Sequence, residues 1–89
     1  MVSIVIPNYN GERFLKDCME ALRRQTYEDM EVILVDNAST DNSVELAQKL
    51  YPGIRVVELD DNTGFAYAVN RGIEAAEGEY VLLLNNDTI

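Results

Sequence analysis

Short, nearly continuous apolar runs recur along the chain, each followed by turn-forming residues and then by a helical pattern. The runs cover Val2–Ile6, Val32–Val35, Ile54–Leu59 and Tyr80–Leu84. Most of them are rich in Val, Ile and Leu and do not alternate with polar residues, which is typical of strands buried on both faces. The pattern therefore predicts four strands, most of them buried on both faces.

An amphipathic helix is predicted between the first two runs, because its apolar residues recur at helical spacing. These residues are Phe14, Leu15, Cys18, Met19 and Leu22. Asn10 is the predicted N-cap. Because Cys18 lies on the apolar stripe, we interpret it as a small core side chain rather than as a reactive thiol.

Two further helices are predicted between the remaining runs. Asn42, with Glu45 three residues later, resembles a capping box, and Pro52-Gly53 ends the second helix. The third helix is predicted to begin near Thr63. One side of it carries Phe65, Val69, Ile73 and Ala76.

The resulting order is βαβαβαβ, and crossovers of this length connect parallel strands with a right-handed turn. The expected fold class is therefore α/β, a Rossmann-like parallel sheet with helices on both faces. If the first and fourth strands are neighbours, the strand order is 3-2-1-4. Because the chain stops a few residues after the fourth strand, residues 1–89 are interpreted as part of a larger domain.

Polar residues gather where three of the predicted strands end. They are Pro7-Asn8-Tyr9-Asn10, Asp36-Asn37-Ala38-Ser39 and Asn85-Asn86-Asp87-Thr88. In an open α/β sheet, ligands bind beyond the carboxyl ends of the strands, where the strand order reverses. Each set alone is also an ordinary turn or helix cap, but together they predict one polar crevice shared by three strand ends.

The charge of the chain excludes some kinds of function. Sixteen acidic and seven basic residues, with no His, give a net charge of −9. This balance argues against a nucleic-acid surface and leaves no His as general base or metal ligand. No run approaches the roughly 20 apolar residues of a membrane span, and the start has no signal-peptide pattern. We expect a cytoplasmic location, with any membrane association coming from other parts of a full-length protein.

The acidity also bears on the ligand. A nucleoside diphosphate is repelled by an acidic crevice unless a positive charge offsets the repulsion. The chain contains neither of the glycine-rich phosphate-binding motifs GxxxxGK(S/T) and GxGxxG. Asp87 offers an oxygen ligand for a divalent cation that would bridge it to diphosphate oxygens. The crevice is therefore expected to take a nucleotide diphosphate together with a metal ion.

The stretches VSIVIPNYNGERFLKDCMEALRRQTYEDMEVILVDNASTDNS and NTGFAYAVNRGIEAAEGEYVLLLNNDT resemble the N-terminal half of glycosyltransferase family 2. The most similar branch is the bacterial rhamnosyltransferase-like one, in which NNDT replaces the commoner DxD-type sequence. This resemblance covers almost the whole chain. It implies a GT-A fold and a metal-assisted, inverting transfer of a sugar from a nucleotide diphosphate sugar to an acceptor hydroxyl.

The resemblance also implies roles for individual residues. Pro7 and Tyr9 would line the pocket for the base, and Asp36 would accept a hydrogen bond from the N3–H of a uracil-like or thymine-like base. At the DxD position stand Asn85, Asn86 and Asp87, with Asp87 as the ligand of Mn²⁺ or Mg²⁺ and the asparagines facing ribose or diphosphate. The implied partners are a UDP- or dTDP-linked sugar and, for the full-length enzyme, a saccharide or lipid-linked glycan acceptor.

Two departures from the family pattern limit what is carried over. Asn85 stands where many relatives have Asp, which lowers the expected metal affinity. Val69 precedes Asn70 where many relatives have Arg, so no phosphate contact is assigned to this helix, and Asn70 and Gly72 are interpreted as positions of close packing. Relatives place the catalytic base after the DxD position. No catalytic residue is therefore assigned, and the chain is expected to be a donor half-site without transferase activity of its own.

Other functions fit the residues less well. A sugar-nucleotide nucleotidyltransferase would carry a glycine-rich loop after the first strand, which Pro7-Asn8-Tyr9 lacks. A receiver-like signalling domain would need acidic residues where Asn8 and Asn10 stand. An inert or assembly fragment stays open as an alternative, and we expect self-association through the exposed edge of the fourth strand.

Overall fold

The computed structural model of the chain describes residues 1–24 and 29–85. Seven elements alternate along it: β1 (Val2–Asn8), α1 (Glu12–Arg23), β2 (Met30–Asp36), α2 (Ser43–Leu50), β3 (Arg55–Glu58), α3 (Phe65–Ala75) and β4 (Tyr80–Leu83). All four strands pair in parallel in the order β3-β2-β1-β4. The predicted fold class, element order and strand order are confirmed. None of the described helices is both long enough and apolar enough to cross a membrane.

Two apolar layers lie on opposite faces of the sheet. Helices α1 and α2 cover one face, where the buried side chains include Ile4, Ile6, Leu15, Cys18, Met19, Leu34 and Ala47. Helix α3 covers the other face, with Val5, Ile33, Val35 and Ala68. Since successive side chains of a strand point to opposite faces, β1 and β2 are buried on both sides, as their continuous apolar runs predicted.

The same prediction is wrong for β4, whose side chains are exposed. Tyr80 is 68% exposed and Leu83 is 50% exposed. This strand lies at the edge of the sheet and pairs with β1, whereas α3 packs on β1 and β2. An apolar run identifies a strand but does not show whether a neighbouring layer covers it.

The predicted apolar stripe of α3 is wrong for Phe65 and Ile73, whereas Ala76 packs against the core as predicted. Phe65 and Ile73 are about half exposed, at 55% and 47%, and the buried residues of the helix are Ala68 and Gly72. The helix therefore packs on the sheet through its small residues. Its larger apolar side chains are left on the outside of the described structure.

Gly72 brings α3 close to the sheet. A Cβ atom at this position would overlap Cγ1 of Val5 and would lie 2.8 Å from Cγ2 of Val35. The packing role expected for Gly72 is confirmed. The same role expected for Asn70 is wrong, because Asn70 is exposed.

Two helices begin later than predicted. Helix α1 begins at Glu12 with Gly11 as its N-cap, so the prediction of Asn10 as the cap is wrong. Asn10 instead adopts a left-handed φ of 50°, a region that Asn tolerates better than most residues. Helix α3 begins at Phe65 rather than near Thr63.

Candidate functional site

The carboxyl ends of β1, β2 and β4 meet at one edge of the sheet. Asn8 at the end of β1 is in register with Asp36 at the end of β2, and β4 ends beside β1. A cavity of about 290 Å³ opens at this edge. It is lined by Pro7, Asn8, Tyr9, Asn37, Asn62, Phe65, Ala68 and Asn85. Each of the three polar sets identified in the sequence thus contributes at least one residue to a common cavity.

The lining of this cavity is neutral, although the chain is strongly acidic. Four of the eight lining residues are asparagines and two are aromatic, and none of these eight carries a charge. Tyr9 and Phe65 are each about half exposed. The expectation of an acidic crevice is therefore wrong for the described part of the site. Amide groups and ring faces suit a planar polar ligand better than they suit a phosphate group.

Asp36 is buried at the end of β2, and its carboxylate is engaged within the protein. Oδ1 accepts hydrogen bonds from Nδ2 of Asn8 at 2.9 Å and from Oγ of Ser39 at 2.6 Å, and Oδ2 accepts one from the Ser39 N–H at 3.0 Å. Only 4% of Asp36 is exposed, and it does not line the cavity. The carboxylate is therefore satisfied by hydrogen bonds within the protein, without a ligand. Its contact with a base stays a prediction.

The other predicted residues of the described chain reach the cavity directly. Pro7 is buried in β1, beyond the segment Val2–Val5 that pairs with β4, so its missing N–H removes no bond to that strand. Tyr9 follows β1, and Asn85 follows β4. Asn86 and Asp87 lie outside the described residues. The roles assigned to all of these residues stay predictions.

Five lining residues were not predicted as site residues, namely Asn8, Asn37, Asn62, Phe65 and Ala68. Asn37 belongs to a polar set that the sequence did identify, but attention went to its neighbour Asp36. Asn62 lies between β3 and α3, and Phe65 is the first residue of α3. This part of the chain was interpreted only as the start of a helix. The available signal was the pair of asparagines at positions 37 and 62, which follow two neighbouring strands of the sheet.

The loops that follow β1 and β2 are tied together at the starts of α1 and α2. The side-chain oxygen of Asn10 accepts the Thr40 N–H at 2.7 Å. Asp41 accepts the Glu12 N–H at 3.1 Å, and Glu12 accepts the Asn42 N–H at 2.9 Å. Each helix thus has a backbone donor near its start satisfied by a carboxylate from the other. The reciprocal contacts hold the loop that carries Tyr9 at the edge of the cavity.

No metal centre is formed within residues 1–24 and 29–85, where no group of three or more His, Cys, Asp or Glu is placed to hold an ion. Asp87, the predicted ligand, lies outside these ranges. Asn85, the described residue nearest to it in sequence, contributes only a neutral amide to the cavity. The predicted Mn²⁺ or Mg²⁺ site therefore stays a prediction that depends on Asp87.

Comparison with known proteins gives one family match over nearly the whole chain. Residues 3–89 match the model of glycosyl transferase family 2. The chain is also similar to Glycosyltransferase GlyG of Streptococcus pneumoniae, with 39% identity over 92 residues, which cover 100% of this chain and 31% of that protein. The chain thus spans about a third of the length of this curated relative.

Two solved structures have the same fold. TarS of S. aureus in complex with UDP-GlcNAc superposes with a TM-score of 0.90 at 30% identity, covering 97% of this chain and 26% of that one. The mannosyltransferase PcManGT of Pyrobaculum calidifontis, in complex with GDP-Man and Mn²⁺, has a TM-score of 0.85 at 29% identity, covering 97% and 27%. Neither comparison bears on the rhamnosyltransferase-like branch, which stays a prediction.

Proposed function

The chain belongs to glycosyl transferase family 2, and on that premise we propose that it binds the nucleotide of a nucleotide diphosphate sugar. Residues 1–89 would form the donor-nucleotide part of a larger GT-A domain. The full-length enzyme would transfer the sugar, with inversion, to a hydroxyl of a saccharide or lipid-linked glycan. The observation that carries this proposal is the neutral, asparagine-lined cavity between β1 and β4, where the strand order reverses.

The chemistry of the cavity supports a nucleobase as the group bound there. A base is planar, uncharged and bordered by hydrogen-bond donors and acceptors, and an asparagine side chain offers both. The exposed rings of Tyr9 and Phe65 provide faces against which a base can stack. A volume of about 290 Å³ is at the lower end of small-molecule sites, so it suits a nucleoside rather than a whole nucleotide sugar.

The residues at the three strand ends would each contact a different part of the nucleotide sugar. We assign Pro7 and Tyr9 to the walls of the base pocket, and Asn85 with Asn86 to the ribose or diphosphate. Asp36 keeps its proposed contact with the N3–H of a pyrimidine through Oδ2, which accepts one hydrogen bond in the structure and has capacity for a second. Because Asp36 is buried, this contact requires the loop between β2 and α2, which contains Ser39, to move.

A divalent metal is the second part of the proposal. Aspartate and phosphate oxygens are ligands that Mg²⁺ and Mn²⁺ accept, so Asp87 would hold the ion together with the diphosphate. When bound, the metal would neutralise charge on the departing nucleoside diphosphate. The Mn²⁺ in the complex of PcManGT supports this assignment.

The proposed donor base is uracil or thymine, because both present an N3–H to a carboxylate acceptor. The UDP-GlcNAc complex of TarS supports a uridine donor. The complex of PcManGT contains GDP-Man, so the shared fold alone does not determine the base. A direct comparison of nucleotides is therefore part of the test.

Isothermal titration of the chain with UDP, dTDP and GDP, with and without Mn²⁺, tests the proposal. Tyr9→Ala should weaken UDP binding roughly tenfold with or without metal, because it removes a stacking surface. Asp87→Asn should abolish only the part of the affinity that Mn²⁺ adds. Asp17→Asn is the matched control, since Asp17 is exposed on α1 and does not line the cavity.

The proposal fails if none of the three nucleotides binds saturably in the presence of Mn²⁺. It also fails in its metal part if Asp87→Asn and Asp17→Asn have equal effects. Tighter binding of GDP than of UDP and dTDP would overturn the pyrimidine assignment alone.

We also propose self-association through β4 and a cytoplasmic location. The exposed apolar side chains of β4 support an edge contact between copies of the chain. A molecular mass in analytical ultracentrifugation that does not change with concentration would contradict self-association. Fractionation of the source cells would test the location.

A further inference from the structure

We propose that Asn37 is a positioning residue that holds the segment Asn62–Gly64 as the second wall of the cavity, an inference whose ligand-binding part rests on the proposed function. This segment, called here the β3–α3 loop, is the last part of the connection between β3, which ends at Glu58, and α3. The loop contributes Asn62 to the lining and positions Phe65, which follows it. Its position therefore affects the shape of the part of the cavity that Asn62 and Phe65 line.

The side chain of Asn37 makes four hydrogen bonds, all to the β3–α3 loop. Its Oδ1 accepts from the N–H of Thr63 at 2.8 Å and from Oγ1 of Thr63 at 3.2 Å. Its Nδ2 donates to Oδ1 of Asn62 at 2.9 Å and to the backbone oxygen of Gly64 at 3.2 Å. Two acceptor sites and two donor hydrogens are the full capacity of a carboxamide. Asn37 is therefore committed to the loop rather than available to a ligand.

The other end of this contact is anchored in the sheet. Asn37 is 5% exposed, and its backbone N–H donates to the carbonyl oxygen of Asn8 at 2.8 Å. The loop residues, in contrast, are exposed, and Gly64 has a φ of +89°. An exposed loop with a glycine in this conformation has little packing of its own to restrain it. The four bonds from a buried residue supply that restraint.

Only an amide provides both kinds of bond at this position. Aspartate has nearly the same shape and retains the acceptor for Thr63, but its second oxygen would face the oxygens of Asn62 and Gly64. Both donor bonds would be replaced by repulsion between acceptors. The substitution Asn37→Asp therefore removes the restraint with almost no change in volume.

The same contacts determine what Asn62 can offer to a ligand. Its Oδ1 accepts from Asn37 and from the N–H of Gly64 at 3.3 Å, whereas its Nδ2 has no hydrogen-bond partner among the described residues. The amide group that Asn62 presents at the cavity is therefore a donor. Such a donor suits a carbonyl oxygen on the edge of a base.

The restraint on the loop is tested first without any nucleotide. Amide hydrogen exchange of the 89-residue chain is monitored by NMR. Asn37→Asp should raise the exchange rate of the Thr63 amide at least roughly tenfold, because the loop leaves its buried anchor. Gln48→Glu adds the same charge at an exposed position of α2 and should leave this rate unchanged. If Asn37→Asp does not fold, Asn62→Ala removes an acceptor from the exposed side of the contact and should have the same effect.

Nucleotide binding is measured next, with UDP and Mn²⁺. Asn37→Asp should weaken binding about tenfold at about pH 8. It should weaken binding less at about pH 5, because burial and the facing oxygens raise the pKa of the introduced carboxyl and its protonated fraction regains one donor. Recovery at low pH distinguishes positioning by a hydrogen bond from a general loss of stability. Asn62→Asp retains the acceptor for Asn37, so it should weaken UDP binding while Thr63 exchange stays close to that of the wild type.

Each result decides a separate question. Unchanged Thr63 exchange in Asn37→Asp and in Asn62→Ala would overturn the restraint itself. Faster exchange with unchanged UDP affinity would overturn its role in positioning the cavity wall. Absence of UDP binding by the wild type would contradict the proposed function and, with it, the ligand-binding part of this inference, while the exchange result would still decide the restraint.

Discussion

The charged cluster at the amino-terminal edge of the sheet should contribute measurably to stability, and Glu31→Gln tests this. The side chain of Glu31 is 12% exposed. Its carboxylate accepts hydrogen bonds from Oγ of Ser3 at 2.5 Å, from the N–H of Glu77 at 2.6 Å and from Nη1 of Arg55 at 2.7 Å. Gly78 in turn donates its N–H to Ser3 at 2.9 Å. One carboxylate in β2 thus connects β1, β3 and the segment that leads into β4.

The expected magnitude follows from the pKa of this carboxyl group. Burial raises the pKa of Glu31, but the hydrogen bonds from Ser3, Glu77 and Arg55 and the charge of Arg55 together lower it from 4.5 to about 2. At about 1.4 kcal/mol per pKa unit, the upper bound is roughly 3 kcal/mol. Arg55 is 43% exposed and its charge is partly screened by water. We therefore expect Glu31→Gln to lower the free energy of unfolding by about 2 kcal/mol.

The pH dependence has a definite sign. Because the pKa of Glu31 is lower in the folded chain than in the unfolded chain, the carboxylate stabilises the fold fully above about pH 4.5. This contribution is lost as the pH falls towards about 2. The difference in stability between the wild type and Glu31→Gln should therefore be largest near neutral pH and should shrink in acid.

Urea unfolding followed by far-UV circular dichroism, at about pH 7 and about pH 3, measures both quantities. Glu74→Gln is the matched control, because Glu74 is 63% exposed and its ion pair with Arg71, at 3.3 Å, lies on the helix surface. That control should change stability by less than about 0.5 kcal/mol. Equal effects of the two variants at neutral pH, or a Glu31→Gln effect that does not diminish in acid, would refute the reasoning.

Two further predictions concern the packing on either face of the sheet. Gly72→Ala should lower the free energy of unfolding by about 1–3 kcal/mol in urea, because the overlap with Val5 and Val35 outweighs the better helix propensity of alanine; a variant as stable as the wild type would contradict the close approach of α3. Burial raises the pKa of Cys18 to about 11, so its thiol should stay unlabelled by a disulfide reagent at about pH 8 until urea unfolds the chain. Rapid labelling of the folded chain would show that Cys18 is accessible.

The sequence predicted the sheet well because the evidence for each strand is local. The run in β2 is apolar throughout and that in β1 is interrupted only by Ser3. Such a composition is typical of strands covered on both faces. The bounds of α3 and the residues it buries were predicted poorly, since Phe65 and Ile73 look like core residues in isolation. The close fit of Gly72 against Val5 and Val35 depends on three elements distant in sequence, and helical periodicity contains no information about it.

The site was predicted by position but not by chemistry. Strand order alone brings Pro7, Tyr9 and Asn85 to one cavity. The role of Asp36 was taken from the family resemblance, which assigned none to its neighbour Asn37. Which of two consecutive side chains reaches a ligand depends on the conformation of the loop that follows the strand. Ala38, the next residue, has a left-handed φ of 63°, which alanine rarely adopts and which the sequence does not predict.

The distribution of acids and amides explains how a chain with a net charge of −9 forms a neutral cavity. Carboxylates accept hydrogen bonds but cannot donate them, so they satisfy backbone and side-chain donors, as Asp36 does for Ser39 and Glu31 does for Glu77. A position that must both donate and accept requires an amide, and Asn37 is such a position. Asp36 and Glu31, one at each edge of the sheet, are therefore used inside the fold, and amides line the cavity. It follows that replacing an asparagine of the cavity by aspartate should disturb ligand binding more than an equal change of charge at an exposed position elsewhere on the chain.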